Sequence, residues 1–302
     1  MSIIAAEHTK KELEKDYFSG FIGDSSVTSD LKRIVDYCYL YDFGSRQNPA
    51  SPFPNRMLFF GPPGTGKSLL ARLSLKYFLH KGDSKGLSPD IIYIDSSFKD
   101  KYYGESERKI RDMFTRFNSP DSISMMIIDE IDTLFPSRGM ITSSADFGVC
   151  GEILKSLEGI LNENTYNNIL ISTSNMPKEF LDEALVERIS QKVVHLDYFQ
   201  SPEQYRKLAG LVLERNKIGN YLFDLESETF QDFFGHCTDK GISPRRAKAV
   251  VEAFLFYAKD NDLSKIPDKA PPEEVRKRIY RKLSPEEEKE CLDKALKASS
   301  EL

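Results

Sequence analysis

The stretch Gly61-Pro62-Pro63-Gly64-Thr65-Gly66-Lys67-Ser68 constrains the fold of this 302-residue chain more than any other feature. It fits the spacing G-x-x-x-x-G-K-[ST] and lies between an apolar run, Met57–Phe60, and a helical pattern that follows it. Glycines at these positions let the backbone curl until successive N–H groups point inward, where they can meet phosphate oxygens. The positive N-terminal end of the next helix adds to that attraction. In such a loop Lys67 reaches the β- and γ-phosphates and the Ser68 hydroxyl ligates Mg²⁺. The plain alternative is an ordinary Gly-Pro turn.

Around this loop, five short runs carry β signals: Met57–Phe60, Ile91–Asp95, Met125–Asp129, Ile169–Thr173 and Val193–Leu196. Each is apolar on both faces, and enough residues separate each from the next for a helix. That pattern predicts a parallel sheet with helices on both sides. After Tyr198 the β signals stop. Ser201-Pro202-Glu203 then reads as a helix start, with Ser201 as N-cap and Pro202 in the first turn. The organisation expected is a short helical segment over 1–23, a large α/β domain over 24–198, a small all-α domain over 199–260 and a charged helical tail over 261–302. Two patches in the tail, Glu273–Lys282 and Pro285–Lys297, read as solvated helix faces, with packing onto a neighbour as the alternative.

Composition narrows the class. A net charge of −5 gives no electrostatic reason to expect nucleic acid as the main partner. No run of about 18 apolar residues is present, so no membrane span is expected. The first residues lack the basic-then-apolar order of a secretory signal. Cys38, Cys150, Cys237 and Cys291 are scattered without a CxxC pair, which suits reduced thiols and a cytoplasmic setting better than zinc or disulfides.

The run Met125-Met126-Ile127-Ile128 ends in two acids, Asp129 and Glu130. Ligands collect at the carboxyl ends of strands in an open α/β sheet. Downstream of a phosphate loop, Asp129 is placed to hold Mg²⁺, in part through water. Glu130 is placed to polarise an attacking water as general base.

With these two motifs the chain resembles an AAA+ ATPase. Gly-Pro-Pro-Gly-Thr-Gly-Lys-Ser followed by Ile-Ile-Asp-Glu-Ile-Asp resembles the AAA proteins proper, the group of katanin, spastin and the ESCRT-disassembling ATPases. The resemblance runs from about Phe21 to Phe256. It implies a sheet in the order 5-1-4-3-2 with a small helical lid, ATP and Mg²⁺ as cofactors, and a homo-hexameric ring. It implies nucleotide contacts from Ile22, Gly23 and Gly61 through Leu69, and a role for Asn175, at the end of Ile171-Ser172-Thr173-Ser174, in orienting the lytic water. Arg188, in Leu181-Asp182-Glu183-Ala184-Leu185-Val186-Glu187-Arg188, falls where the family places an arginine finger that enters the adjacent subunit's site; the alternative is a surface salt bridge on a helix end. Spastin-like members carry two adjacent arginines; this chain has Glu187 and Arg188. Gly241-Ile242-Ser243-Pro244-Arg245 resembles the sensor-2 element of AAA+ proteins, in which the arginine leans on the γ-phosphate, an arginine that many AAA members proper lack.

Lys101-Tyr102-Tyr103-Gly104-Glu105-Ser106-Glu107 resembles the central pore loop of the unfolding AAA proteins, where a ring of aromatics grips an extended polypeptide. The two tyrosines could instead tuck into the domain's own core. Gly139–Phe147 stands where the family has its second pore loop. The expectation is therefore a protein-remodelling motor acting on a polypeptide, with an adaptor as a possible partner. The alternatives are an AAA+ loader or regulator of a nucleic-acid complex, and a scaffold that binds ATP without turnover.

Overall fold

The computed structural model describes residues 16–95, 106–134, 151–158, 165–177, 180–218, 223–259, 270–280 and 282–300. The loop residues Lys101, Tyr102, Tyr103 and Gly104, and the whole of 139–147, lie outside the described residues. The described chain divides into two compact units: one comprises 1–62 and 66–196, the other 63–65 and 197–302.

The first unit is built on strands β1 (Arg56–Phe60), β2 (Asp90–Ile94), β3 (Ser124–Ile128), β4 (Asn168–Ser174) and β5 (Lys192–His195). All neighbours pair in parallel, in the order β2-β3-β4-β1-β5. Read from the other edge this is 5-1-4-3-2, the order expected. Each strand's ends fall within one residue of the apolar run that announced it, β4 gaining one residue at either end. Helices α1 (Ser25–Cys38), α2 (Lys67–Ser84), α3 (Ser106–Phe117), α4 (Ile131–Leu134) and α5 (Glu183–Ile189) accompany the sheet, and residues 151–158 are also helical.

The absence of polar/apolar alternation in the strands has a direct cause: both faces of the sheet are buried. Leu58, Ile92, Ile94, Met126, Ile128 and Leu170 point into one core, where they meet Ile110 and Phe114 of α3 and Leu185 of α5. Their neighbours in sequence, Met57, Phe59, Met125, Ile127, Ile169 and Ile171, point into the other, against Leu31 and Val35 of α1 and Leu70 and Phe78 of α2. With a side-chain period of two, neither face can be polar. Phe18 is buried in this second core, so 16–23 packs onto the sheet.

Polar side chains hold the amino-terminal edge of the sheet. Asn167, fully buried, donates through Nδ2 to the carbonyls of Ser119 and Ser122, both at 2.7 Å. Asn55, also fully buried, donates to the Asn168 carbonyl and to Asn168 Oδ1, each at 3.0 Å. Buried amides of this kind are tolerated because their partners are satisfied.

The second unit is all-α: α6 (Pro202–Arg215), α7 (Glu228–Asp239), α8 (Pro244–Tyr257), α9 (Pro272–Ile279) and α10 (Pro285–Ser300). Ser201 takes the N-cap position of α6 with Pro202 behind it, but its side chain makes no capping bond. Instead the Gln204 amide oxygen reaches back to accept from the Gln200 N–H at 2.8 Å. Phe230, Phe254 and Phe223 form the aromatic centre, with Phe230 and Phe254 edge to face at 5.1 Å and Phe223 and Phe254 at 5.3 Å. Helix α9 buries nothing and is laced by the pairs Glu273–Lys277 and Glu274–Arg278, a solvated helix as its charges suggested. Helix α10 behaves otherwise. Leu292 and Ala295, three residues apart on one face, are buried in this unit, so α10 is part of its core and no free tail. The many acids and lysines around those two positions masked the stripe.

Replacing Asn167 with Ala removes the side-chain donor from two part-buried carbonyls, at a cost of about 1–3 kcal/mol. Chemical denaturation should show this as a lower midpoint with an unchanged slope. A loss under about 0.5 kcal/mol would mean that water reaches Ser119 and Ser122 freely.

Candidate functional site

The phosphate loop leaves the carboxyl end of β1 and enters α2. Gly61, Gly64 and Gly66 have φ of +142°, +84° and +99°, a conformation that L side chains rarely adopt. At Gly61 sterics add to this: a Cβ there would lie 1.9 Å from the Leu196 carbonyl oxygen. Lys67 is buried, and its ammonium donates to the carbonyls of Gly61 at 2.8 Å and Pro62 at 2.7 Å, pinning the loop's entry to its exit. Thr65 is buried, while Leu69 faces solvent at 44% exposure. Gly66 is the N-cap of α2 and offers no side chain, so no side chain caps the first turn of this 18-residue helix.

Strand β3 delivers Asp129 beside the start of α2. One carboxylate oxygen, Oδ1, accepts from Ser68 Oγ at 2.8 Å and Thr173 Oγ1 at 2.5 Å; the other accepts from the Tyr93 hydroxyl at 2.7 Å. Burial alone would raise this carboxyl's pKa. The bonds from Thr173, Tyr93 and Ser68, with the nearby Arg72 guanidinium, outweigh burial and hold it below the usual range, so Asp129 is ionised at neutral pH. The Tyr93 phenol is pushed up to about 12, by burial first and then by the Asp129 carboxylate, and it stays a donor.

Glu130 is exposed, with φ at +55°. Its N–H donates to Thr173 Oγ1 at 2.9 Å, and its carbonyl accepts from the N–H and hydroxyl of Thr133 at 2.9 and 2.8 Å. A left-handed glutamate costs about 1–2 kcal/mol and persists only where its surroundings impose it, a feature that clusters at functional sites. Asn175 follows β4, whose Ser174 is in register with Phe60, so it sits level with the start of the loop. Its N–H donates to Asp132 Oδ1 at 3.1 Å.

The remaining expected residues lie as follows. Ile22 is half-buried and Gly23 exposed. Phe21 connects them to the loop, its ring lying 3.8 Å from where a Gly66 Cβ would stand. Arg188 ends α5. Two contacts fix that region at the amino end of β1: the Gln191 N–H donates to the Arg56 carbonyl at 2.9 Å, and Arg56 Nη1 donates to the Arg188 carbonyl at 3.2 Å. The phosphate loop leaves the other end of the same strand, about 13 Å away along it. The Arg188 side chain folds back on its helix, with Nη1 bonded to the Ala184 carbonyl at 2.7 Å and Nη2 3.8 Å from Glu158. Its Nε is buried with no hydrogen-bond partner among the described residues. Arg245 is exposed in the first turn of α8, behind the N-cap Ser243, which accepts from the Arg246 N–H at 3.2 Å. The loop tip 63–65 belongs to the same unit, and a Cβ on Gly64 would stand 3.0 Å from the Arg245 Cβ.

Sequence reading missed Tyr93, Arg72, Phe21 and Asp132. The one local hint was Tyr93, a polar-tipped residue in an otherwise aliphatic β2. Thr173 lay inside a quoted motif without a role, and its hydroxyl bridges Asp129 and the Glu130 backbone.

The residues fit a nucleotide with its metal. A glycine cradle, a helix start with no side-chain cap, a buried ammonium and a hydroxyl–carboxylate pair match polyphosphate and Mg²⁺ in donor and charge. Among the described residues, no group of three or more His, Cys, Asp or Glu could hold a metal by itself, as expected where waters and phosphates complete the shell. When bound, Mg²⁺ would neutralise charge on the phosphates. Ser68 and Asp129 are the residues that would hold it, and Lys67 would exchange its carbonyl partners for phosphate oxygens.

Fold and site together define a phosphate-loop nucleotide-binding domain of the AAA+ type. Residues 57–196 match the family described as "ATPase family associated with various cellular activities (AAA)", and this segment is an AAA ATPase domain. Over 217 residues the chain is 27% identical to a vesicle-fusing ATPase of Arabidopsis thaliana, an alignment covering 69% of this chain and 27% of the relative. It is 28% identical over 227 residues to the peroxisomal ATPase pex6 of Schizosaccharomyces pombe (69% and 22%). With a proteasome-associated ATPase of Frankia alni it shares 29% over 173 residues (54% and 28%). The chain thus spans roughly a quarter of the length of these relatives.

Two substitutions probe this geometry. Gly61→Ala should abolish nucleotide binding in a titration while the far-ultraviolet circular dichroism stays native. Tyr93→Phe removes one hydrogen bond to a charged carboxylate and should weaken ATP binding in the presence of Mg²⁺ about tenfold. Binding measured in EDTA should be unchanged. Equal weakening in both conditions would place the effect outside the metal site.

Proposed function

We propose that this chain hydrolyses ATP as a homo-hexameric ring and uses the cycle to remodel or translocate a polypeptide. One observation carries the reading. Lys67, Asp129, Glu130 and Asn175 gather at the carboxyl end of the sheet, whereas Arg188 is anchored at the opposite end of β1. An arginine side chain reaches about 7 Å beyond its Cα, too short for a span of about 13 Å. Arg188 therefore suits a neighbour's nucleotide better than its own, and its buried, unpartnered Nε leaves it ready to reorient.

In this scheme Glu130 takes a proton from water that Asn175 orients, and Arg188 from the next subunit meets the charge on the phosphoryl oxygens. Arg245, from the helical unit, would add a second positive charge. Ile22 and Gly23 would flank the base, with the Phe21 ring holding them against α2. The resemblance of Lys101–Gly104 to a substrate-gripping loop supports a polypeptide substrate. So do relatives whose names tie them to vesicle fusion, peroxisomes and the proteasome. An adaptor that selects the substrate completes the proposal.

Glu130→Gln should bind ATP normally and lower turnover about 10²–10⁴-fold. Arg188→Ala should lower it about 10³–10⁵-fold, the range for a finger supplied in trans. Mixing the two inactive variants should restore activity, because one supplies an intact base and the other an intact arginine. No recovery in mixtures that sediment as one assembly would refute catalysis at subunit seams. Tyr102→Ala should retain hydrolysis and lose processing of an unfolded protein; stimulation by DNA alone would favour the loader reading instead.

A further inference from the structure

The helical unit carries a feature that nucleotide chemistry does not use. Between α7 and α10 runs an open groove of about 960 Å³. Its floor is apolar: Phe233 and Leu292 are buried beneath it, and Leu283, Pro285 and Leu296 line it, the last 36% exposed. Its rim is acidic. Glu228 and Asp232 stand one turn apart on α7, with Glu286 and Asp293 along α10, and all four face solvent. Among the described residues, Lys282, Lys289 and His236 also line it, and Asp224 and Glu288 add two more carboxylates.

The rim acids differ from several others in their own unit. Glu252 is paired one turn away with Lys248, Glu273 with Lys277, Glu274 with Arg278 and Glu290 with Lys294. Glu290 and Glu286 share helix α10, yet only Glu290 is paired. None of the four rim acids forms an ion pair with a described residue. Glu228 and Asp232, four residues apart, repel each other at a cost of a few tenths of a kcal/mol. Burial is the main cause that pushes the Glu288 carboxyl up; the bond from the Ser227 hydroxyl opposes it, and the Asp224 charge adds a smaller push.

We propose that this groove docks a short basic amphipathic helix from another protein, with its apolar stripe on Leu283–Leu296 and its lysines or arginines over the rim. The twelve positions from Pro285 to Leu296 span about 17 Å, room for about three helical turns. An apolar trough with charged edges of one sign is the helix-in-groove arrangement, in which area supplies affinity and the rim sets register and partner choice. The inference is independent of the ATPase reading, because the groove lies wholly within the helical unit and needs no nucleotide.

The test uses the full chain without nucleotide and three fluorescent 14-residue probes. One is a Leu/Lys amphipathic peptide, one its Leu/Glu counterpart, and one a Leu/Lys peptide of scrambled order. Anisotropy should show saturable binding of the first alone, weakening with salt. The double variant Asp232→Lys with Asp293→Lys should lose about tenfold or more in affinity, as expected when two favourable charge contacts become repulsive. Asp197→Lys with Glu214→Lys changes the net charge equally at distant exposed sites and should lose less than about twofold. Leu296→Ser should weaken binding without altering its salt dependence. Equal losses in the two charge variants, or equal binding of the scrambled peptide, would overturn the proposal, since either means non-specific attraction. Sedimentation showing that the groove variant alone changes the chain's own assembly would also overturn it, in favour of a second copy as occupant.

Discussion

A single carboxylate ties the sheet-based unit of this molecule together. Asp129 receives hydroxyls from Ser68, Tyr93 and Thr173, which belong to α2, β2 and β4. Taking a carboxylate out of water is costly unless its lone pairs are met, and three donors together with Arg72 meet them. The cost of burial thus becomes a constraint. The helix that follows the phosphate loop, two strands and the acid must all be in register for the charge to be satisfied. Thr173 passes the constraint on by accepting the Glu130 N–H, which helps to hold the glutamate in its left-handed conformation.

The parallel sheet makes that convergence possible. With every strand running the same way, the ends of β1, β3 and β4 open on one side, and loop, acids and Asn175 share that edge. The opposite edge is closed by side-chain amides and by the end of α5. A residue that must act on phosphate from there serves a neighbouring chain more readily than its own. In the proposed scheme, the same topology that gathers one set of groups leaves Arg188 to a neighbouring chain.

The helical unit follows a different logic. Its stability comes from edge-to-face phenylalanines and from α10, an element whose charged composition conceals a two-residue apolar stripe. Several of its surface acids are paired within their own helices, whereas the four on the groove's rim pair with no described residue. Leaving like charges uncompensated weakens an isolated fold, and a complementary partner can recover that cost.

Much of the architecture could be read along the chain. Parallel strands buried on both faces leave continuous apolar runs, so β1 to β5 were marked to within a residue, and a loop that must curl around phosphate needs its glycines and lysine in fixed order. The acids after β3 could be found by the same local means. Tyr93, Thr173, Phe21 and the groove could not, because their meaning lies in partners distant in sequence. Ser68, Tyr93 and Thr173 stand 61, 36 and 44 residues from Asp129. Local sequence sets backbone preference and the period of burial, and these determined the strands, the phosphate loop and the acids that follow β3. Strand register and helix packing decided which hydroxyls reach the carboxylate, where Arg188 ends up and which acids are left without a cation, because such contacts exist only once distant segments have been brought side by side.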